Sequence, residues 1–265
     1  MVNKPRISSI LNTNSLDYST TGLHSFNLKD LKLSGELNFE LPTNLRLGHL
    51  AEKIVSNLIK ASSNYKIVYE NIQLIEDKQT IGEIDFILSE TETEQIIHLE
   101  LAYKFYLFDP NHSSYELNNW VGPNKNDSLI QKLKKTETKQ FPLLFSKSAK
   151  KKLKDIDLKK VSQKLCLLAS LYVPYNNKIE FTPHFQKGIK GYYLNFKLFK
   201  SLDKPNKSYY IPSKKEWGVE PSNNKKWVIL KDIETVIETS ISEKRSLLCW
   251  EKQNNSYTQF FITWW

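Results

Sequence analysis

Two apolar-rich runs joined by a polar connector lie at residues 81–88 and 96–108, and they constrain the fold more than any other stretch of the chain. The connector between them reads SETETEQ. A short polar segment of this kind suits a hairpin loop better than a helix. The pattern therefore predicts two neighbouring antiparallel strands.

Side-chain alternation along these two strands predicts where their charged groups lie. Successive side chains of a strand point to opposite faces of the sheet. Glu83 and Asp85 therefore share one face of the first strand, and Glu100 and Lys104 share one face of the second. If the polar faces match across the hairpin, Asp85, Glu100 and Lys104 converge on one surface.

Two carboxylates and a lysine on adjacent strands suit the binding of a divalent cation and a phosphate ester. Mg²⁺ prefers carboxylate oxygens and water, and it also takes phosphate oxygens from a substrate. A nearby lysine can orient the attacking water or neutralise charge that develops on phosphorus. The alternative is a solvated sheet face without chemical function. The long apolar runs around these charges favour a site, because a buried carboxylate needs a partner.

Several segments between residues 45 and 140 carry a resemblance to a known protein family. They are LGHLAE at 47–52, GEIDF at 82–86, HLELAYKFY at 98–106 and WVGPN at 120–124, with Asp127, Leu129, Lys132 and Gln140 beyond them. Together they resemble the bacterial DUF family 1853, which is grouped with the PD-(D/E)xK, or restriction-endonuclease-like, phosphodiesterase superfamily. Beyond residue 140 the likeness is one of general pattern.

The resemblance implies an α/β fold with a restriction-endonuclease-like core, in which helices flank a central mixed β-sheet. We expect this core at residues 44–175, an N-terminal extension packed on it at 1–43, and a C-terminal α+β extension of the same globule at 176–265. The resemblance also implies a metal site. We expect Asp85 and Glu100 to hold Mg²⁺ or Mn²⁺ there.

The catalytic lysine departs from the superfamily signature, which places it two residues after the glutamate. Ala102 occupies that place, and Lys104 follows Glu100 by four residues. Four residues span about 13 Å on a regular strand, so Lys104 needs its long side chain or a β-bulge to reach the site. We expect Lys104 to be catalytic. Its displacement keeps open a catalytically inactive protein with the same fold.

A helix is predicted over residues 45–61, where apolar residues such as Leu50, Ile54 and Leu58 recur at helical spacing. Glu52 lies off this apolar stripe. It is either a surface glutamate or, as the resemblance implies, an acidic residue that the first helix contributes to the catalytic site. Residues 65–76, YKIVYENIQLIE, alternate as a strand does.

Three residues after position 120 are candidates for contacts with nucleic acid. Asn124 lies in a Gly-Pro-Asn turn of a long irregular segment, and such segments often carry substrate contacts. Lys132 belongs to a helix predicted over 127–139, whose lysines could follow a phosphate backbone. Gln140, near the end of that helix, needs a hydrogen-bond partner. A helix-end backbone group and a nucleotide are equally plausible.

The charge of the chain favours a polyanionic partner without establishing one. The formal net charge is +9 and almost all of the positive charge is lysine, a balance that suits a phosphate backbone. The densest basic run, residues 146–160, is either a solvated face or a strip that faces a polyanion.

The positions of the cysteines and the length of the apolar runs exclude several other classes of protein. Cys166 and Cys249 lie in apolar runs, outside any CxxC or Cys/His grouping, so we expect buried free thiols. The longest apolar run, about residues 165–173, is shorter than the roughly 20 residues of a membrane helix. The N-terminus does not resemble a signal peptide. We expect a cytoplasmic protein without a membrane partner.

These features lead us to expect a Mg²⁺- or Mn²⁺-dependent nuclease that hydrolyses phosphodiester bonds in DNA or RNA. No serine-nucleophile motif, phosphate-binding glycine loop or dinucleotide fingerprint points to another chemistry. Two alternatives stay open. One is a nuclease-fold protein that binds nucleic acid without turnover, and the other is a protein-binding domain in which the charged strand face is only a surface.

Overall fold

The computed structural model describes residues 3–265, in which helices and strands are interspersed as in an α/β protein. The helices are α1 (Lys4–Leu11), α2 (Tyr18–Thr21), α3 (Leu47–Lys60), α4 (Leu129–Lys135), α5 (Lys147–Lys152), α6 (Pro183–Gln186), α7 (Phe196–Ser201) and α8 (Leu230–Ser242). The strands are β1 (Tyr65–Glu76), β2 (Gln79–Glu90), β3 (Ile96–Phe108), β4 (Trp120–Val121), β5 (Ser162–Pro174), β6 (Ile189–Asn195), β7 (Lys207–Tyr210), β8 (Leu247–Gln253) and β9 (Ser256–Thr263).

Within residues 3–265 the nine strands form a mixed sheet in the order β1-β2-β3-β5-β6-β9-β8-β7, and β4 pairs with β3. The β1–β2, β2–β3, β7–β8 and β8–β9 pairs are antiparallel, whereas β5–β6 and β6–β9 are parallel. This confirms the predicted α/β class with a large mixed sheet flanked by helices. No helix in the described part of the chain is long and apolar enough to cross a membrane.

The predicted hairpin is present as β2 and β3, with Phe86 opposite Leu99 and Leu88 opposite Ile97. The connector forms a turn in which Glu94 adopts a positive φ of 58°. Almost every residue of β3 is buried. A strand that is covered on both faces has a nearly continuous apolar sequence, because side chains on both faces are buried.

The contacts divide the chain into two compact units. The first comprises the chain up to Tyr103 together with Gln131–Leu168, and the second comprises Lys104–Ile130 and Ala169–Trp265. Each unit is discontinuous in sequence because β3 and β5 each contribute to both. The domain boundaries predicted at residues 43 and 175 stay predictions.

In the first unit α3 packs on β1, and its apolar face, which includes Ile54 and Leu58, is fully buried. Ile84 of β2 is buried in a cluster with residues of the segment after α4, among them Leu144 and Leu153. This packing brings the 131–168 segment against the strand that carries Asp85.

In the second unit α8 buries Ile237 in a cluster with Phe260 of β9 and Cys249 of β8. Cys249 is a free thiol, as is the buried Cys166 of β5, and both agree with the expectation from sequence. Burial raises the pKa of each thiol above its ordinary value, so neither is a ready nucleophile.

Candidate functional site

Asp85 and Glu100 lie on the adjacent strands β2 and β3. The paired register of the two strands ends at Phe86 and Leu99, and Asp85 and Glu100 are the next residues of β2 and β3. The backbone N–H of Leu101 donates a hydrogen bond of 2.8 Å to Asp85 Oδ2. The structure therefore brings these two carboxylates together, while their role as metal ligands stays a prediction.

The electrostatics of Asp85 reflect this proximity. Burial and the neighbouring Glu100 carboxylate raise the pKa of Asp85 to about 8, and the charge of Glu52 acts in the same direction. The hydrogen bond from Leu101 and the positive charge of Lys132 oppose the increase. Two buried carboxylates that share a site cannot both ionise at low cost. The carboxyl group of Asp85 therefore holds its proton to a higher pH than an exposed aspartate does.

Glu100 is buried and both of its carboxylate oxygens have hydrogen-bond partners. His98 Nε2 lies 2.9 Å from Oε1, and Gln140 Nε2 donates to Oε2 at 3.0 Å. From the sequence, either a helix-end backbone group or a nucleotide was expected to be the hydrogen-bond partner of Gln140. In the structure its partner is the Glu100 carboxylate. Contact between Gln140 and nucleic acid stays a prediction.

Two residues of this network were missed as site residues in the sequence. His98 has no exposed surface, and its Nδ1 lies 2.9 Å from Gln163 Nε2. Gln163 Nε2 also donates to the carbonyl oxygen of Phe141 at 2.7 Å. The available signal for His98 was its position two residues before Glu100, on the same strand face. No local pattern marks Gln163.

Glu52 lies on α3, and its Oε2 is 3.0 Å from His49 Nδ1. Its side chain is 26% exposed. It forms part of the wall of a surface pocket of about 330 Å³, with Glu70 and Glu83 among the other lining residues. Since its charge also raises the pKa of Asp85, Glu52 belongs to the acidic surroundings of the strand pair.

Two other predicted site residues, Lys104 and Asn124, belong to the second unit and have hydrogen-bond partners within that unit. Lys104 Nζ donates to Asp127 Oδ2 at 2.8 Å, and these side chains are 37% and 43% exposed. Asn124 Oδ1 accepts a hydrogen bond of 2.8 Å from the backbone N–H of Ser246, just before β8. A catalytic function of Lys104 and a nucleic-acid contact of Asn124 both stay predictions.

Lys132 lies on α4, in the first unit, and its positive charge lowers the pKa of Asp85. It was predicted as a contact to nucleic acid. The structure adds an electrostatic interaction with Asp85, and the turns that follow α4, residues 136–145, contact β2. This interaction is invisible in the sequence, where 47 residues separate Asp85 from Lys132.

The donor chemistry of the acidic pair fits Mg²⁺ or Mn²⁺. Mg²⁺ is commonly held by one or two protein carboxylates, with waters and substrate phosphate oxygens as its other ligands. Asp85 and Glu100 supply two carboxylates, and each oxygen of Glu100 accepts one hydrogen bond and retains a further lone pair. Among residues 3–265, no cluster of three or more His, Cys, Asp or Glu side chains forms a metal cage.

Comparison with other proteins identifies a family without an assigned activity. Neither the curated proteins nor the solved structures include a match. The model of the family described as "Domain of unknown function (DUF1853)" matches residues 8–258, which is nearly the whole chain. The chain therefore belongs to the DUF1853 family.

Proposed function

We propose that this protein is a Mg²⁺- or Mn²⁺-dependent nuclease of the PD-(D/E)xK type, with a restriction-endonuclease-like core, that hydrolyses phosphodiester bonds in DNA or RNA. The observation that carries the proposal is the pair of Asp85 and the buried Glu100, in which desolvation and the charge of Glu100 together raise the pKa of Asp85. A divalent cation relieves such repulsion, because it neutralises both carboxylates.

Each member of the acidic site has a separate task in this proposal. Asp85 and Glu100 hold the cation, and Gln140 and His98 orient the Glu100 carboxylate. The bound cation supplies Lewis-acid activation of water and neutralises charge on the phosphate. Glu52 of α3 lines the surface pocket of about 330 Å³ and adds a negative charge on the α3 side of the site.

Two lysines are candidates for the group that neutralises charge on the phosphate. Lys104 follows the superfamily pattern most closely in sequence, but it pairs with Asp127. Lys132 acts electrostatically on Asp85 itself. Because Ala102 occupies the position of the signature lysine, we assign this task to Lys132 and retain Lys104 as the alternative.

The distribution of charge supports a polyanionic substrate. Residues 131–168 contain twelve lysines and three acidic residues, a net charge of +9. The rest of the chain contains 26 basic and 26 acidic residues, so this segment accounts for the whole net charge. The segment belongs to the same compact unit as the acidic pair. A basic segment beside such a pair suits a phosphate backbone.

A second candidate function is binding of nucleic acid without turnover. Ala102 at the signature position and the pairing of Lys104 with Asp127 favour it. The two functions differ in one measurable respect, because only a nuclease converts its ligand to shorter products in a reaction that depends on the cation.

Cleavage of labelled DNA and RNA, single- and double-stranded, with Mg²⁺ or Mn²⁺ tests the proposal. The comparison uses the wild type, Asp85→Asn and a control, Glu92→Gln, which removes an exposed carboxylate in the β2–β3 connector. We expect cleavage by the wild type and the control and loss of at least about 10²-fold in Asp85→Asn. Binding without cleavage in all three proteins would favour the second function. Equal cleavage by all three would place the activity elsewhere.

A further inference from the structure

We propose that Gln163 and His98 form a hydrogen-bond relay that positions the Glu100 carboxylate, so that Gln163, 63 residues away in sequence, is a positioning residue of the site. The inference deepens the proposed function and rests on it for its catalytic meaning. The relay itself is a property of the metal-free protein. It follows from three contacts that together determine where each hydrogen lies.

The first contact determines the orientation of the Gln163 amide. Gln163 Nε2 lies 2.7 Å from the carbonyl oxygen of Phe141. A carbonyl oxygen only accepts hydrogen bonds, so the amide group that faces it must be the NH₂ group. The reversed orientation would place two acceptors 2.7 Å apart. The contact with Phe141 therefore determines which end of the Gln163 amide is the nitrogen, an assignment that is often ambiguous for glutamine.

The second contact determines the tautomer of His98. The same NH₂ group lies 2.9 Å from His98 Nδ1, so Nδ1 accepts and carries no hydrogen. The hydrogen of the neutral ring is then on Nε2. The imidazole also lies edge-on to the Phe141 ring, with centroids 5.7 Å apart and an interplanar angle of 72°. Phe141 thus contacts both members of the relay.

The third contact joins His98 to the Glu100 carboxylate. His98 Nε2 lies 2.9 Å from Glu100 Oε1 and donates its hydrogen to it. Gln140 Nε2 donates to the other oxygen at 3.0 Å. Two donors on different oxygens determine the plane of the carboxylate, as outer-shell partners do for ligands of metal ions. Glu100 is 1% exposed, so both hydrogen bonds are shielded from bulk solvent.

The relay depends on a local irregularity in the basic segment. Thr136–Gln140 is a π-helical turn that ends immediately before Phe141. Gln140 donates to Glu100, and the next residue, Phe141, accepts from Gln163. π-helical turns occur frequently at functional sites because they redirect side chains from the regular helical spacing. The lysine-rich segment that we propose to contact the polyanion therefore also holds Glu100.

Nitrogen-15 NMR of the full-length, metal-free protein tests the relay directly. Long-range correlations distinguish a protonated from an unprotonated ring nitrogen, and His98→Asn identifies the signals of His98. We expect Nε2 protonated and Nδ1 unprotonated in the wild type, and loss of this single tautomer in Gln163→Leu. Nδ1 protonated in the wild type would overturn the proposal, whether or not the protein is a nuclease.

Calorimetric titration with Mn²⁺ tests the effect on the site. We expect Gln163→Leu to weaken Mn²⁺ binding by about 10- to 100-fold, as removal of outer-shell partners typically does. The matched control is Gln259→Leu, at a buried glutamine whose Oε1 accepts from Tyr172, and it should retain the wild-type affinity. Equal affinities in the wild type and Gln163→Leu would refute the positioning role. If the wild type itself binds no Mn²⁺, the proposed function fails, and the tautomer alone then decides the relay.

Discussion

The backbone N–H of Leu101 donates to Asp85 Oδ2 at 2.8 Å, so the Asp85 carboxylate lies against the residue that directly follows Glu100. This hydrogen bond joins β2 to β3 beside two acids that are 15 positions apart in the chain. Burial of Asp85 and its repulsion from Glu100 raise the pKa of Asp85 to about 8.

The free energy of unfolding should fall between about pH 4 and pH 8 because of Asp85. Its pKa is near 3.8 in the unfolded chain and about 8 in the folded protein, so the folded state binds more protons over this range and loses stability as the pH rises. Asp85→Asn removes this dependence. Urea unfolding should show the variant more stable than the wild type at pH 8, by an amount on the order of a few kcal/mol, and closer to it at pH 5. An identical pH profile in both proteins would contradict the raised pKa.

Mn²⁺ should raise the melting temperature of the wild type, and the effect should be largest near pH 8. A ligand that binds only the folded state stabilises it, by about 2.7 kcal/mol at a concentration of 100 Kd. Protonation of Asp85 competes with the cation, so the shift should decrease toward pH 5. Scanning calorimetry with and without Mn²⁺ gives the comparison. Asp85→Asn should show a much smaller shift, and an equal shift would mean that the cation binds at another site.

Replacement of the two candidate lysines should have different consequences. Lys132→Met should reduce kcat by about 10²-fold, because it removes a positive charge beside the acidic pair. Lys104→Met breaks a partly exposed ion pair with Asp127, and we expect less than about 1 kcal/mol of lost stability with kcat near the wild-type value. Single-turnover cleavage and urea unfolding measure both effects. The reverse pattern would assign the catalytic function to Lys104.

Exposed lysines of α5 should contribute to binding of the polyanion. The double variant Lys150→Ala/Lys151→Ala should weaken DNA or RNA binding and reduce the slope of log K against log salt by up to about 2, one per lost phosphate contact. The control pair Lys197→Ala/Lys231→Ala removes exposed lysines of α7 and α8 with the same change in net charge. Fluorescence anisotropy over a salt series makes the comparison. If both pairs weaken binding equally, net charge is responsible and the segment is not a specific contact surface.

Local patterns in the sequence predicted most of the elements that carry the site. The helix predicted over 45–61 is α3 (Leu47–Lys60), the strand predicted over 65–76 is β1, and the predicted hairpin is β2 and β3. These predictions succeed because apolar periodicity reports which side chains face a core. The helix predicted over 127–139 is shorter, since α4 ends at Lys135 and a π-helical turn follows.

The sequence by itself placed Asp85 and Glu100 on adjacent strands of a hairpin, because two apolar runs joined by a polar connector predict that arrangement. Tertiary structure alone decided which groups surround them: Gln140 and Gln163 around Glu100 and its neighbour His98, Lys132 beside Asp85, and Asp127 as the partner of Lys104. Most of these partners are separated from the acids by tens of residues. The positions of Lys132, Gln140 and Gln163 depend on how the 131–168 segment packs. Side-chain periodicity reports on contacts within one helix or strand, so it carries no information about contacts between residues this far apart in the chain.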